Sequence, residues 1–495
     1  MNRARQLDSH RRRCVLTLRS GLAAGLLLTV LPTFAQDEPA AGAQDPGDSA
    51  HSLDSSWQVP ESFGSETETK NALELSLDEA IRRALETNET VLLAQSEVSR
   101  AEGQLRQTVS QALPQLSADA HYGNNLEKPV IFFASDTGVQ KITIGSDYDV
   151  DASLTLSQQV LDLRFGAARR AARLSAAAAR AGAQDARAAI AYQTRLAYFE
   201  ALLDRELVVV QDKALEAAQK RLEQVEQFYQ AGTAAEFDQL TAQVEVDNIR
   251  PERIQTENRL AIALEDLRRI TGIAPGTPLR LTDGFPDPGE APDFEQAVSV
   301  ALDHRQDIVA QRLQAEAAAA MQTAAERSSF PTLDFESTYL RRASSADAIP
   351  SNNDFSNSWT ATLAFSWPLF ESGARAGRVA VAEAAKNTQA LRLRQLEEDA
   401  RLEVRRAVLG LRAARQQVMA SEANVRRAEK ALSIAGVRYK NGLSTQVELN
   451  DAELAVTRAR SNYAQALFGL AIARADLDVA QGDPALLAAT AKTDG

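Results

Sequence analysis

The chain repeats itself, and this internal duplication constrains the fold more than any other feature of the sequence. Residues 217 positions apart match in the first part of each copy, and residues 210 apart match in the second part. Identical pairs include Ala80 and Ala297, Pro114 and Pro331, Tyr229 and Tyr439, and Gly232 and Gly442. Each copy is far longer than the repeat of a solenoid protein, so we expect one domain that is used twice.

Both copies show the same order of predicted parts. A helical stretch, Leu77–Gln111 or Phe294–Ser328, is followed by two strands around a polar loop, a very long helix, a glycine turn and a returning helix. The predicted boundaries are 73–273 for the first repeat, 274–293 for a proline-rich linker, 294–482 for the second repeat and 483–495 for a C-terminal tail. The β-hairpins are predicted at 114–161 and 331–370, and the glycine turns at 231–234 and 441–444.

The two long helices are predicted at about Ala167–Gln230 and Ala374–Lys440. With a rise of 1.5 Å per residue they extend roughly 95–100 Å, which is too long for a compact globule. The second helix carries a heptad seam of larger residues, namely Val404, Leu411, Val418, Val425, Leu432 and Tyr439. Small residues follow three positions later, so the pattern predicts close side-by-side packing as in a coiled coil.

The N-terminus has the three parts of a secretory signal. Six arginines precede the apolar run Gly21–Leu31, and Ala35 supplies a small residue at a cleavage site. This order predicts a signal peptide at 1–35, the alternative being a disordered basic tail. Cleavage would remove Cys14, the single cysteine of the chain. Segment 36–72 is predicted to be a disordered lead-in, and no membrane-spanning helix is expected after residue 35.

The hairpin segments alternate apolar and polar residues with a period of two, as half-buried strands do. Each predicted strand has about ten residues, the length of a tilted transmembrane strand. The predicted membrane anchors are Tyr122, Tyr339, Trp359 and Trp367, with the two tryptophans at opposite ends of one strand. Four strands cannot close a membrane barrel, which needs about eight or more. Either several chains complete one barrel, or the hairpins are soluble and pack on a core.

Composition and motifs argue against catalysis and against nucleic-acid binding. The formal net charge is −13, whereas affinity for nucleic acid comes from clustered basic charge. The sequence has no zinc-type histidine spacing, no phosphate-binding loop and no nucleophile elbow. We therefore expect no enzyme, no cofactor and no metal site. A periplasmic coiled-coil adaptor, or another structural protein of an export system, is one alternative that these features leave open.

Three local motifs accompany the duplication: Leu77-Asp78-Glu79-Ala80, Trp367-Pro368-Leu369-Phe370-Glu371-Ser372-Gly373 and Tyr439-Lys440-Asn441-Gly442-Leu443-Ser444-Thr445. Together with the order of parts, they resemble the TolC-like family of outer-membrane efflux channels over about residues 73–482. The first copy departs from the pattern at this junction. It has no counterpart of Gly373 in the segment Val160-Leu161-Asp162-Leu163-Arg164. The start of the first long helix is therefore left open.

The resemblance implies an α+β membrane protein that assembles as a homotrimer. Its twelve strands would form one β-barrel in the outer membrane of a Gram-negative bacterium, and its antiparallel helices a coiled-coil tunnel through the periplasm. Such a channel exports substrates from a periplasmic adaptor and an inner-membrane transporter, and it is gated at its periplasmic tip. The expected partners are these two proteins, further copies of the chain and outer-membrane lipid. The cargo stays open between drugs or dyes, proteins exported by type I secretion, and metals.

The resemblance also implies roles for residues near the glycine turns. In the family, acidic residues line the constriction of the tunnel, and a tyrosine before the second glycine bonds to the acid of the first copy. The matching positions here are Asp238, Tyr439, Glu448 and Asp451, and the turns that would dock the adaptor contain Gly232, Gly442, Leu443 and Ser444. The family's best-known member has arginine where Ser444 stands, so part of the lock is missing or replaced. Alternatively, the carboxylates are solvated charges and Tyr439 only continues the heptad seam.

Overall fold

The computed structural model describes residues 72–135, 138–286 and 289–483. The predicted signal peptide 1–35, the lead-in up to residue 71 and the tail from residue 484 lie outside the described residues. The helices are α1 (Leu77–Thr87), α2 (Glu89–Ser110), α3 (Leu163–Gln230), α4 (Glu236–Thr271), α5 (Phe294–His304), α6 (Gln306–Glu326), α7 (Ala374–Lys440) and α8 (Gln446–Gln481). The strands are β1 (Leu73–Leu75), β2 (Gln115–Asn124), β3 (Val130–Ser135), β4 (Gly138–Thr143), β5 (Tyr148–Leu161), β6 (Leu279–Leu281), β7 (Thr332–Ser345) and β8 (Phe355–Ser366).

The first helical stretch of each copy is broken, which corrects the prediction of one continuous helix. The breaks fall at Asn88 and Arg305, whose backbones are extended, and the Asn88 side chain caps α2 by accepting from the Thr90 N–H at 2.9 Å. The returning helices end close to these breaks. A Cβ atom at Gly482 would lie 2.8 Å from the Arg305 Cα, so only glycine allows this close approach.

The two long helices start in different ways. Helix α7 begins at Ala374 after Gly373, which has a φ of +88° and ends a seven-residue connector from β8. Helix α3 begins at Leu163, four residues earlier than expected. Asp162 follows β5 directly and caps α3, because its Oδ1 accepts from the Arg164 N–H at 2.8 Å. An aspartate cap thus replaces the glycine connector in the first copy.

Four strands form one antiparallel sheet in the order β2-β5-β7-β8. The pairing places Leu154 opposite both Ala118 and Tyr339, and Tyr339 opposite Trp359. Because side chains alternate between faces, one face is mainly apolar and the other mainly polar. The polar face carries the Arg342–Asp151 ion pair at 2.5 Å and the Ser344–Asp149 hydrogen bond at 2.7 Å. Strands β5 and β7 each have 14 residues, longer than the ten that we expected.

Two small sheets lie where the sequence predicted loops. The polar loop of the first hairpin contains a second hairpin, β3–β4, whose apolar residues Phe132 and Phe133 are exposed. The predicted linker 274–293 contains β6, which pairs in parallel with β1 over three residues. Strands β1 and β6 are too short to show a period in the sequence. Their pairing joins the two ends of the first copy.

Two hydrophobic clusters form the core of the helical part. The first packs α1 against α3 and α4, and the buried Tyr198 hydroxyl donates to the Leu75 carbonyl at 3.0 Å. The second packs α5 against α7 and α8 around Val404, Leu411 and Leu477. Val404 and Leu411 belong to the predicted heptad seam, and both are buried. The seam therefore packs α7 within the chain at this level.

Candidate functional site: the tip of the helical hairpins

The turns at 231–234 and 441–444 have the same hydrogen-bonded geometry. Gly232 and Gly442 adopt left-handed backbones with φ of +74° and +68°. In the first turn the Gly232 N–H donates to the Tyr229 carbonyl at 2.9 Å and the Thr233 N–H to the Phe228 carbonyl at 2.9 Å. The second turn repeats both bonds, so each long helix ends in a Schellman motif. Each motif reverses the chain and starts the returning helix within six residues.

Asp238 caps its own helix in this structure. Its Oδ2 accepts from the Ala235 N–H at 3.2 Å at the start of α4, where a negative charge also complements the helix dipole. Within the described residues, the Tyr439 hydroxyl makes no hydrogen bond, so the expected bond from Tyr439 to Asp238 is not formed inside one chain. The two residues keep their predicted positions near the turns, and their joint role stays a prediction.

Arg438 supplies a guanidinium group at the second turn, where Ser444 replaces the arginine of the family's best-known member. Its Nη2 donates to the Leu443 carbonyl at 3.1 Å, and its Nη1 lies 3.7 Å from Glu448 Oε2. Both side chains are more than half exposed, so this pair contributes little stability by itself. Arg438 ties the turn to α8 within one hairpin.

A groove of about 450 Å³ runs above the turns between the two hairpins. Asp451 of α8 and Thr241 of α4 both line it, so the structure brings these equivalent positions together. Glu245, Asn450 and Glu453 also line the groove and contribute carboxylate and amide groups. The sequence predicted Asp451 as part of this site but gave no sign of the other three.

Arg221 joins the hairpins beside this groove, and sequence reasoning missed it. Its side chain is only 4% exposed, and Nη1 donates to Glu245 Oε2 on α4 at 2.8 Å. Nη1 also bonds the Asn450 side chain and Nη2 pairs with the Glu453 carboxylate, both on α8. We call Arg221, Glu245, Asn450 and Glu453 the Arg221 cluster. A comparison of the copies offers one signal, because the equivalent of Arg221 is Ala431.

Two further polar contacts join α3 to α8, about midway along α3. Asp478 pairs with Arg195 and Arg474, each at 2.9 Å, while its burial raises the pKa of the carboxyl group. The Tyr192 hydroxyl donates to Asp476 Oδ1 at 2.6 Å, and burial together with this carboxylate raises the tyrosine pKa to about 12. These contacts join the two copies in the same part of the helices as the two hydrophobic clusters.

The predicted membrane anchors lie on the sheet as follows. Tyr122 stacks near Tyr148 with ring centroids 6.1 Å apart, and Tyr339 pairs across the strands with Trp359. Trp359 is 79% exposed but lies inside β8, so it does not mark a strand end as predicted. Trp367 follows the last residue of β8, and its Nε1 donates to the Ser329 carbonyl at 3.2 Å. Only Trp367 therefore marks the border between the sheet and the helices.

The described residues provide neither a membrane-spanning helix nor a metal-binding cluster. No helix among residues 72–135, 138–286 and 289–483 has the length and apolar character needed to cross a membrane. Over the same ranges, no group of three or more His, Cys, Asp or Glu side chains is placed to bind a metal ion.

Comparison with known proteins identifies the family. A family profile described as outer membrane efflux protein matches residues 80–273 and 297–483, one stretch in each copy. The chain belongs to the outer membrane efflux protein family. This family consists of transport channels, so the efflux protein is not an enzyme, and its membership argues against the adaptor alternative.

Solved structures of other membrane proteins have a fold similar to that of this efflux protein. A membrane protein from Pseudomonas aeruginosa is similar with a TM-score of 0.69 and 19% identity, over 82% of this chain and 93% of that one. The outer membrane protein VceC of Vibrio cholerae is similar with a TM-score of 0.67 and 22% identity, over 82% and 96%. Protein CyaE of Bordetella pertussis is 28% identical over 269 residues, which are 54% of this chain and 56% of that relative. The predicted fold class of long antiparallel helices with four strands per chain is confirmed.

Proposed function

We propose that three copies of this chain form one outer-membrane channel that exports substrates across the periplasm and the outer membrane. The observation that carries the proposal is the sheet, which has an exposed apolar face and two edges without a partner. Leu116, Leu154, Trp359 and Leu363 lie on this face and are largely exposed in one chain. A large exposed apolar surface needs a partner, and lipid is the partner that suits such a face.

The strand order supports closure by three chains. Strands β2 and β8 form the edges of the sheet, and the four strands alternate in direction. Strand β8 of one chain is thus antiparallel to β2 of the next, so three sheets can pair edge to edge into one barrel of twelve strands. Closure pairs every edge strand, which a four-stranded sheet in a membrane requires.

The two faces of the sheet then have different surroundings. The apolar face contacts outer-membrane lipid, and Tyr122, Tyr339, Trp359 and Trp367 are its aromatic anchors. The polar face, with Asp151, Arg342 and Ser344, lines a water-filled passage. Charged side chains on this face avoid contact with hydrocarbon.

The tip of the hairpins is where partners from the inner membrane are expected to bind. Phe237 and Leu240 of the first hairpin and Leu443 and Val447 of the second are all more than half exposed. Together with Gly232, Gly442 and Ser444 they form an apolar end suited to a periplasmic adaptor, with an inner-membrane transporter beyond it. The cargo is selected by that transporter.

The same end would hold the gate. We assign Asp238, Tyr439, Glu448 and Asp451 to the constriction of the tunnel. Because Tyr439 bonds no group in the described part of its own chain, its bond to an Asp238 carboxylate would form between neighbouring chains in the trimer. Such a bond closes the tip only when all three chains are assembled.

Purification and electrical recording test this function. The protein should leave outer membranes only with detergent and should begin at Gln36 by intact mass. In planar bilayers it should give discrete conductance steps. Extraction from the periplasm without detergent, or the absence of conductance from correctly folded protein, would reject the channel.

A further inference from the structure

The Arg221 cluster joins the first hairpin, α3–α4, to the second hairpin, α7–α8, and the duplication does not repeat it. The equivalents are Ala431 for Arg221, Ala455 for Glu245, Leu240 for Asn450 and Gln243 for Glu453. Neither copy thus keeps the ionic groups of the other at these positions. The contact is a feature of one boundary, the one between the two hairpins of the same chain.

The cluster lies at one level of both hairpins. Arg221 is nine residues before the end of α3, and Glu245 is nine residues after the start of α4. At 1.5 Å per residue both lie roughly 14 Å from the first turn. Asn450 and Glu453 are in the first two turns of α8, so a movement of this end of α8 changes their distance from Arg221.

We propose that Arg221 is a latch that holds α8 against α3 and α4 while the tip is closed. In the open tip, Arg221 keeps Glu245 and loses Asn450 and Glu453. This proposal rests on the proposed function as a gated channel, and it names the residues that resist opening within each chain.

The chemistry of the cluster favours two discrete states. A buried guanidinium group is tolerated only with partners that compensate its charge, and the closed state supplies two carboxylates and one amide oxygen around Arg221. The groove beside the cluster gives water a direct path to the same groups when α8 moves away. Arg221 and Glu453 are then solvated instead of being left buried and unpaired. Intermediate positions, with Arg221 neither paired nor hydrated, are unfavourable.

The position of the latch allows a partner bound at the turns to release it. Within the described residues, no charged group of the second turn forms an ion pair with the first hairpin, and Arg221 supplies an ionic contact between the hairpins near the tip. A partner that binds the exposed turns can shift the start of α8 without touching Arg221. It opens the latch only to the extent that it binds the open state more tightly.

Single-channel recording of Asn450→Leu combined with Glu453→Gln tests the latch. These changes give the second hairpin the residues that the first has at equivalent positions, and they leave the Arg221–Glu245 pair within its own hairpin. The loss of hydrogen bonds to a charged group should increase the fraction of time in a high-conductance state roughly tenfold. Trimer yield should not change.

The control is Glu429→Gln, which removes a more exposed ion pair, Arg460–Glu429 at 2.8 Å, within the second hairpin. This variant should behave as the wild type. A second test uses Arg221→Cys with Glu453→Cys and a short thiol cross-linker that a reductant cleaves. Without the cross-linker, the Arg221→Cys, Glu453→Cys variant should have the raised open fraction. Cross-linking should return this variant to the closed state, and the reductant should open it again.

The outcomes separate the latch from the channel itself. Wild-type open probability in the Asn450→Leu, Glu453→Gln variant would overturn the latch and leave the channel intact. An equal increase in the Glu429→Gln control would also overturn it, since any loss of charge near the tip would then suffice. Absence of channels from the wild-type protein would instead reject the proposed function on which the latch depends.

Discussion

Helices α3 and α7 are equivalents in the duplication and have nearly equal lengths, yet they are packed very differently. Buried residues occur along α3 from Ala167 to Val225, whereas those of α7 lie between Ala400 and Ser421. Helix α3 contacts α1, α2, α4, α6 and α8, whereas α7 contacts α5, α6 and α8. One helix is therefore enclosed by its own chain, and the other is left with free surface.

The free surface of α7 is apolar in part. Leu391, Leu402 and Leu409 are exposed, and at 100° per residue they lie on the side opposite the buried residues Val404 and Leu411. A helix that is apolar on two opposite sides needs a packing partner on each side. Its own chain covers only the side of Val404 and Leu411. The difference between the two helices thus indicates where a neighbouring chain would pack.

The largest expected effect comes from charge on this free side of α7. We predict that Leu391→Asp combined with Leu402→Asp prevents assembly, because a buried unpaired carboxylate costs several kcal/mol. The helical content of the chain should remain. Gel filtration in detergent measures the assembly. Normal trimers in the double variant would show that this side of α7 faces water.

A smaller loss of stability is expected from the buried side. Leu202→Ala in α3 and Leu411→Ala in α7 remove side chains that are about 1% exposed, so each should lower the free energy of unfolding by about 2–5 kcal/mol. Thermal unfolding followed by circular dichroism measures both. Because α7 is also expected to pack against a neighbouring chain, Leu411→Ala should in addition weaken trimer assembly, measured by gel filtration in detergent, and Leu202→Ala should not. Identical behaviour of the two variants would remove the contrast between the helices.

The two copies should also differ in how they control ions. Glu448 and Asp451 of the second hairpin correspond to Asp238 and Thr241 of the first, so the second carries the additional carboxylate. If the second hairpin lines the constriction, Glu448→Gln with Asp451→Asn should lower cation selectivity more than Asp238→Asn does. Reversal potentials in a salt gradient measure this. A larger effect of Asp238→Asn would place the first hairpin at the lumen.

The smallest effect concerns the contact between the copies at Tyr192. Its pKa is raised in the folded protein to about 12, so the neutral hydroxyl is favoured by folding. The contribution of Tyr192 to the free energy of unfolding is complete below the ordinary tyrosine pKa near 10. It is lost as the pH increases toward 12. Tyr192→Phe should therefore flatten the decrease of melting temperature between pH 10 and pH 12. An unchanged slope would show that the bond to Asp476 does not couple to stability.

Much of the fold could be predicted from the sequence because it depends on patterns that extend over many residues. The bounds of α7 agree with the prediction. The breaks at Asn88 and Arg305 could not be predicted, since neither proline nor glycine marks them and they arise from contact with the returning helices. Strand β6 has three residues and forms only because β1 is beside it.

The candidate site was less accessible to sequence reasoning. Asp451 and the glycine turns follow from the duplication and the family motifs. Arg221 stands beside Leu222, the counterpart of the seam residue Leu432. In the sequence it looks like any solvated arginine, because its three partners are 24 to 232 residues away in the chain. A buried ionic contact between helices is a tertiary property, and a single sequence shows only that one copy has arginine where the other has alanine.

The most direct test of the account is the protein mass of the detergent-solubilised particle, measured by light scattering with the detergent contribution subtracted. The open-edged sheet and the free side of α7 both require neighbouring chains, so the account predicts a uniform particle of three chains. A uniform, folded particle of one chain with normal helical content would contradict it, because neither the sheet edges nor α7 would then have the partners that their sequences require.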